Sequence, residues 1–425
     1  MAHLLMIESW VGGTGRIFPP AIRQKGHRYT FVARNRQHYQ DPHSREIHPV
    51  IEHAEHILTA ETNDVPALIA FLRQQHDILG FDGVVTICDY YIDTVAQVAQ
   101  ALNLPQGFSS NVVTERRKHL VREAIERAGL PNPRFSVVDS WSGAQAAAAA
   151  IGYPLILKPS DLASSAFVKL VRDEAQLRDA FTALEQFPRN FRDQPREPLW
   201  LLEEFMTGEE ISVEAVTFGG ETTVLGITDK SLSGFPYFIE DGHMFPARLD
   251  PTVVGEVETY VKAVLAAVGH DHGISHTEVK LTPDGPRIVE INPRPGGNFI
   301  AELIERVTAI DLLSVQIDLA LGRKPDLVRT ETGIASAAIK FLIPPKGGRI
   351  EAFTGTEAFD ADPNIVRHSF GSLEGREISP PIDNACYLGH VMAIDPQGLG
   401  ARAHAEKVLS QLDMRIADVA DAQTN

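Results

Sequence analysis

The chain has 425 residues, 44% of them hydrophobic and 22% charged, which is the balance of a globular protein with length for about two to four domains. A formal net charge of −17 repels polyanions and argues against a nucleic-acid partner, whereas a metal cation or metal–nucleotide complex suits it. Two cysteines, Cys88 and Cys386, are too few for a disulfide framework and point to a reducing compartment.

The opening MAHLLMIESWVGG has a short apolar run without a basic flank or a small-residue cleavage site. No stretch approaches about 18 consecutive apolar residues, so no membrane span is expected and the cytoplasm is the expected location. HLLMIE (3–8) and YTFVA (29–33) read as short buried strands around a turn and a helix ending near Gly26. GVVTIC (83–88) reads as a third strand, followed by a helix from Ile92 to Leu102. This alternation predicts an α/β, doubly wound N-terminal domain. His38, His43, His48, His53 and His56 lie in one stretch broken by Pro42 and Pro49, at a spacing that fits neither helix nor strand. They read as a solvated loop rather than a zinc site.

Further along, Thr114 is the expected cap of a helix with the apolar stripe Leu120, Val121, Ala124, Ile125 and Ala128, stopped by Gly129 and Pro131. An alanine-rich helix ending at Gly152 leads into the strand YPLILK. FPRNFRDQPREP (187–198) reads as a surface loop, and LWLLEEF, EISVEAVTF, TTVLGITD and a hairpin at 276–292 as strands. After Thr330 come SAAIKFLI, more short strands and a helix near 400–412. The expected units are 1–110, 111–330 and a β-rich 331–425.

The strongest candidate site is HTEVKLTPDGPRIVEINPRPGG, residues 276–297. Pro283-Asp284-Gly285 reads as a three-residue hairpin loop. Counting outward, Thr282 faces Pro286, Glu278 faces Glu290 and His276 faces Asn292. Alternation then puts His276, Glu278, Lys280, Glu290 and Asn292 on one face, and Val279, Leu281, Val289 and Ile291 on a core face. Two opposed carboxylates repel, unless a hard divalent cation lies between them on oxygens of Glu278, Glu290 and Asn292. Arg294 lies within reach of a phosphate or carboxylate, and Gly296-Gly297 lets a ligand approach the backbone. The plain alternative is a half-exposed hairpin whose Glu278 pairs with Lys280 or Arg287.

A second cluster, LLEEFMTGEEISVE (201–214), carries Glu203 and Glu204 into a linker with Met206, and Gly208 turns the chain toward Glu210. Such a linker exposes backbone groups that read an adenine edge, with a carboxylate beyond for ribose hydroxyls. Taken alone, it reads equally as a turn with surface glutamates. Lys158 ends the strand YPLILK before PSDLASSA, a small-residue segment suited to covering phosphates. Lys118 sits on the amphipathic helix with its stem toward the core; singly, either lysine reads as a solvated side chain.

The order of these clusters resembles the ATP-grasp superfamily, over about residues 1 to 420. By that resemblance Lys118 and Lys158 contact ATP, and Glu203, Glu204, Met206 and Glu210 form the adenine and ribose segment. Glu278, Glu290 and Asn292 would hold two magnesium ions, with manganese as a substitute, and Arg294 would steady the transferred phosphoryl group. The resemblance implies an ATP-grasp fold, α+β in the grasp region, with a mobile lid over about residues 133–206. Ala163-Ser164-Ser165-Ala166 departs from it, standing where relatives carry a glycine-rich loop. SGFPYFIEDGHMFPARL (233–249) and the C-terminal part are similar to L-amino acid ligases. This implies His243 beside an acyl phosphate, Glu240 for an ammonium group, and Arg294 and Gly297 at the substrate.

The implied activity is carboxylate–amine ligation, making an amide or dipeptide through an acyl phosphate with release of ADP and phosphate. Small-molecule substrates, amino acids foremost, are expected, with no nucleic-acid or membrane partner and a homodimer as the family-level expectation. Rival readings are a biotin-carboxylase-like or purine-pathway ATP-grasp ligase, and a non-catalytic nucleotide-binding protein. Val11-Gly12-Gly13-Thr14-Gly15 raises a dinucleotide-dependent oxidoreductase, but Phe18 occupies the third glycine position and Arg34-Asn35-Arg36 stand where an acidic ribose ligand belongs.

Overall fold

A computed structural model describes residues 1–40, 46–163, 165–233 and 237–417. His43, Ser164 and positions 234–236 of the substrate segment lie outside the described residues.

Four parallel strands, in spatial order His56–Thr59, Arg28–Ala33, His3–Ile7 and Gly83–Val85, form the N-terminal sheet. The inner strands are apolar along their length because helices cover both faces, Thr14–Gln24 on one and Val65–Leu79 with Ile92–Leu102 on the other. The third expected strand stops at Val85; Cys88 N–H donates to Thr86 Oγ1 (3.1 Å) and the chain turns at Asp89–Tyr91. The histidine stretch is more ordered than a solvated loop. His48 is buried, its Nδ1 accepts from Val50 N–H at the start of helix Pro49–Glu52, and His56 opens the edge strand.

An eight-stranded antiparallel sheet forms the centre, in the order Gly285–Asn292, Gly273–Thr282, Glu209–Phe218, Glu221–Ser233, Ile239–Phe245, Ser336–Leu342, Gly389–Asp395 and Ile365–Phe370. It runs through position 330 without a break, since Ile239–Phe245 pairs with Ser336–Leu342. Along Glu209–Phe218 and Gly273–Thr282 the residues alternate: Ile211, Val213, Ala215 and Val279 point into a dry core, while Glu210, Glu214, His276 and Glu278 point the other way. Helix Pro251–Val268 seals the dry face with Val257, Val261, Val264 and Leu265. It starts where Asp250 accepts from Thr252 N–H (2.8 Å) ahead of Pro251, and ends at Gly269 with φ 77°.

Strands Phe135–Val138, Trp200–Glu204, Leu155–Pro159 and Lys169–Val171 make a separate antiparallel sheet with its own core under helices Trp141–Ile151 and Glu174–Glu185. The amphipathic helix expected from Thr114 is two helices, Val112–Arg116 and Lys118–Arg127, broken at the extended Arg117, with Ala128 exposed. Nor is 187–198 merely a surface loop. Arg192 is buried, donates to Ser9 O and lies over the Trp10 ring, tying this unit to the N-terminal domain.

Helix Leu312–Ala320 packs on the N-terminal sheet through Ile317 and Ala320, held also by Lys25–Asp318 (2.6 Å). The approach is so close that a Cβ on Gly83 would lie 2.1 Å from Ala320 O. Gly83→Ala therefore forces the helix off the sheet; we expect a loss of about 1–3 kcal/mol, read as a lower urea midpoint.

Candidate active site

The hairpin delivers its carboxylates by a route the sequence count did not foresee. Thr282 pairs with Gly285, so the loop is two residues, Pro283-Asp284. A bulge between Glu278 and Val279 absorbs the difference, and Glu278 still faces Glu290 while His276 faces Asn292. Ile288 takes the core place expected of Val289, whose carbonyl instead accepts from Lys158 Nζ (3.2 Å) and Arg122 Nη2 (3.1 Å).

Neither glutamate is left facing the other without a cation. Lys118 Nζ lies 3.0 Å from Glu290 Oε1 and donates to Leu162 O (2.7 Å). Lys230, on the strand Glu221–Ser233, is buried among Glu278 (3.0 Å), Glu210 (3.1 Å) and Glu240 (3.3 Å). His276 lies between Glu214 (2.6 Å) and Glu278 (3.4 Å). Burial alone would discharge these groups, but their neighbours outweigh it. Burial raises the Glu278 carboxyl, yet Lys230 and His276 bring it down to about 2. Burial lowers His276, yet Glu214 and Glu278 lift it to about 9. The same contest holds Lys230 well above the usual lysine range.

Lys158 is buried with its amine 2.7 Å from Glu203, which also takes Arg122 Nε at 2.6 Å. Burial pushes the lysine's pKa down and would push the carboxyl up, but Arg122 and Lys158 hold Glu203 at about 2. Beside them lies a slot of about 100 Å³ between the 135–204 sheet and the central sheet. Glu203, Glu204, Met206 and Glu210 all line it, with Phe205 and Leu232 as apolar walls. Glu204 leans outward onto Arg134 (2.7 Å), while Glu210 bridges Lys230 and Lys280 (3.0 Å).

The slot adjoins a larger cavity of about 510 Å³ lined by Glu240, His276, Glu278, Glu290, Asn292, Arg294 and Gly297. Arg294 Nε is 2.6 Å from Asp89 of the N-terminal domain, and Trp10 Nε1 donates to the same carboxylate (2.9 Å). Glu240 accepts from Asn298 Nδ2 (2.7 Å) and is clasped by the C-terminal part, Asn384 accepting its N–H and Tyr387 donating to its carbonyl. His243 is wholly buried behind it, Nε2 3.3 Å from Glu240 Oε2 and its ring edge-on to Phe341; it does not line the cavity. The sequence candidates thus converge on two joined cavities, except that Lys118 stands behind Glu290 and His243 behind Glu240, neither of them lining a cavity.

Glu278 and Glu290 bring carboxylate oxygens to this space and Asn292 a side-chain amide whose oxygen can join them, a donor set for a hard cation. Magnesium binds characteristically through one or two carboxylates plus water and phosphate oxygens, and these residues fit it. Sequence reasoning missed Lys230, Arg122, Glu214 and Asp89. The alternation Glu210–Ser212–Glu214 was a signal for the third, but a lone lysine or aspartate carries none until strands and domains are paired.

Family comparisons agree along most of the chain. Residues 21–106 match the ATP-grasp N-terminal domain, 151–302 the ATP-grasp domain, and 340–417 the L-amino acid ligase C-terminal domain 2. Human carnosine synthase 1 is 28% identical over 262 residues, 59% of this chain but 32% of that protein. The alanine–anticapsin ligase of Bacillus subtilis is 27% identical over 271 residues, 59% of this chain and 56% of its own. The crystal structure of an L-amino acid ligase from Bacillus licheniformis superposes with a TM-score of 0.78 at 22% identity, covering 98% of this chain and 99% of that one, and so shares the fold.

Two outcomes follow from the charge network. Glu203→Gln strands the buried Arg122 and costs about 3–5 kcal/mol of stability, read in thermal denaturation. Because Glu203's folded pKa of about 2 lies below its ordinary 4.5, its contribution is complete above pH 4.5 and is lost as pH falls toward 2; the variant's acid limb is correspondingly flatter. Lys230→Met leaves Glu210, Glu240 and Glu278 without their shared cation, and its melting temperature falls sharply and recovers in part with added magnesium chloride.

Proposed function

We propose that this chain, which carries an ATP-grasp domain and an L-amino acid ligase C-terminal domain, joins a carboxylate to an amine, with amino acids as substrates and ATP as the driving reactant. The observation that carries this reading is Glu278 facing Glu290 on a cavity that also holds Arg294 and adjoins the slot containing Lys158 and Glu210. Relatives named as an alanine–anticapsin ligase and a carnosine synthase support amino-acid substrates.

The adenine enters the slot against Phe205 and Met206, with Glu210 toward the ribose. Two magnesium ions on Glu278, Glu290 and Asn292 would supply charge neutralisation at the phosphate oxygens. Lys118 and Lys158 add point charges along the same phosphates, and Arg294, fixed by Asp89, faces the γ-phosphoryl group. A substrate carboxylate oxygen attacks the γ-phosphorus, the bond to the bridging oxygen breaks, and ADP leaves with the electron pair. An amine nitrogen then attacks the acyl carbon, phosphate departs, and the nitrogen sheds a proton. Glu240 is held well below the usual carboxylate range because Lys230 and His243 outweigh its burial, so it is an anion for a substrate ammonium rather than a proton carrier. We assign His243, which is buried behind it, to positioning Glu240. The 135–204 unit acts as the lid that keeps water from the acyl phosphate.

Hydroxylamine tests the reading directly. With ATP, magnesium and a carboxylate substrate, the enzyme should yield that carboxylate's hydroxamate together with ADP. Glu290→Gln and Arg294→Ala should each cut turnover by about a hundredfold or more while changing ATP affinity far less. AMP and pyrophosphate as coproducts would overturn the mechanism.

A further inference from the structure

A cavity of about 290 Å³ lies between the N-terminal domain and the Arg294–Asn298 segment, separate from the nucleotide slot. Its floor is the turn Gly12-Gly13-Thr14, which opens helix Thr14–Gln24. The amides of Gly15 and Arg16 close onto Gly12 O and Gly13 O, but those of Gly13 and Thr14 donate to no acceptor among the described residues, and no side chain caps the helix. A Cβ on Gly12 or Gly13 would meet nothing within 4 Å, so the turn faces open space. An uncapped helix start with free amides attracts anions.

A second observation points to a ligand. Gln316 borders the same cavity, is 2% exposed, and its Oε1 has no hydrogen-bond partner among the described residues. The amide's orientation is fixed from its other end, where Nε2 donates to Thr86 O (3.3 Å). A buried carbonyl oxygen without a donor is costly, and a ligand's N–H or O–H would satisfy it. Arg294, Gly297 and Asn298 line both this cavity and the main one, so a molecule seated here has one end at the reacting centre.

We propose that this cavity seats the amine substrate, and that this substrate carries an anionic head, carboxylate or phosphate. The head lies on the Gly13 and Thr14 amides, a donor group of the same molecule meets Gln316 Oε1, and the amine points toward the mouth at Arg294. The assignment rests on the ligase reading and adds to it where the amine substrate sits and which groups take its anionic head.

The test uses the full-length enzyme with the twenty amino acids, their carboxamides and 2-aminoethyl phosphate as amines. Gly12→Asp places a carboxylate in the seat where the structure has room for it, and Gly12→Ala controls for bulk. Relative to Gly12→Ala, Gly12→Asp should raise the ratio of KM for amino acids to KM for their carboxamides by about tenfold. The same charge-dependent loss confined to 2-aminoethyl phosphate would identify phosphate as the head. An unchanged ratio for all amines, in enzyme that still forms hydroxamate with hydroxylamine, would sink the seat and leave the ligase reading standing. Wild-type enzyme that forms no hydroxamate from any carboxylate strikes the ligase reading itself, and this assignment with it.

Discussion

A carboxylate taken out of water must find a positive partner, and much of this molecule is arranged around that requirement. The polar face of the central sheet gathers Glu210, Glu214, Glu240, Glu278 and Glu290, and the chain answers with Lys118, Lys230, Lys280 and His276 from other strands and a helix. Burial of these groups is tolerable only with every partner in place. Each of these carboxylates is thus already paired, with five anions set against four cations.

The same logic joins the domains. Asp89 leaves the N-terminal sheet where the edge strand Gly83–Val85 ends early, and its carboxylate takes both Arg294 and the Trp10 indole. Trp10 in turn lies beneath Arg192 of the 135–204 unit. The 135–204 unit, the N-terminal domain and the Arg294 segment are thus linked through one aspartate and one indole. From the other side, the C-terminal strands extend the central sheet, and Asn384 and Tyr387 hold Glu240 at the cavity wall. The C-terminal part therefore shapes the Glu240 wall of the larger cavity, while the smaller slot lies between the 135–204 sheet and the hairpin.

Local sequence determined a good deal. Period-two alternation placed Glu278, Glu290 and Asn292 on one face, because strand geometry leaves side chains no other choice. The runs HLLMIE and YTFVA announced short buried strands, which the helices on both faces of the sheet explain. Asp250-Pro251 and Gly269 bound a helix through capping chemistry that is itself local. What only the tertiary structure decided depends on contacts distant in sequence. The two-residue turn and the compensating bulge are a choice of register set by packing Ile288 rather than Val289 into the core. Glu203 reads from its motif as part of an adenine and ribose segment, but becomes the anchor of Lys158 once Arg122 arrives from a helix 81 residues earlier. His243 sits in a segment that names a substrate site, yet pairing with Lys230 and Ile339 turns its ring into the core. A motif fixes which chemistry a residue can perform; the energy of burying a charge, settled only by partners elsewhere in the chain, fixes which residue meets the ligand.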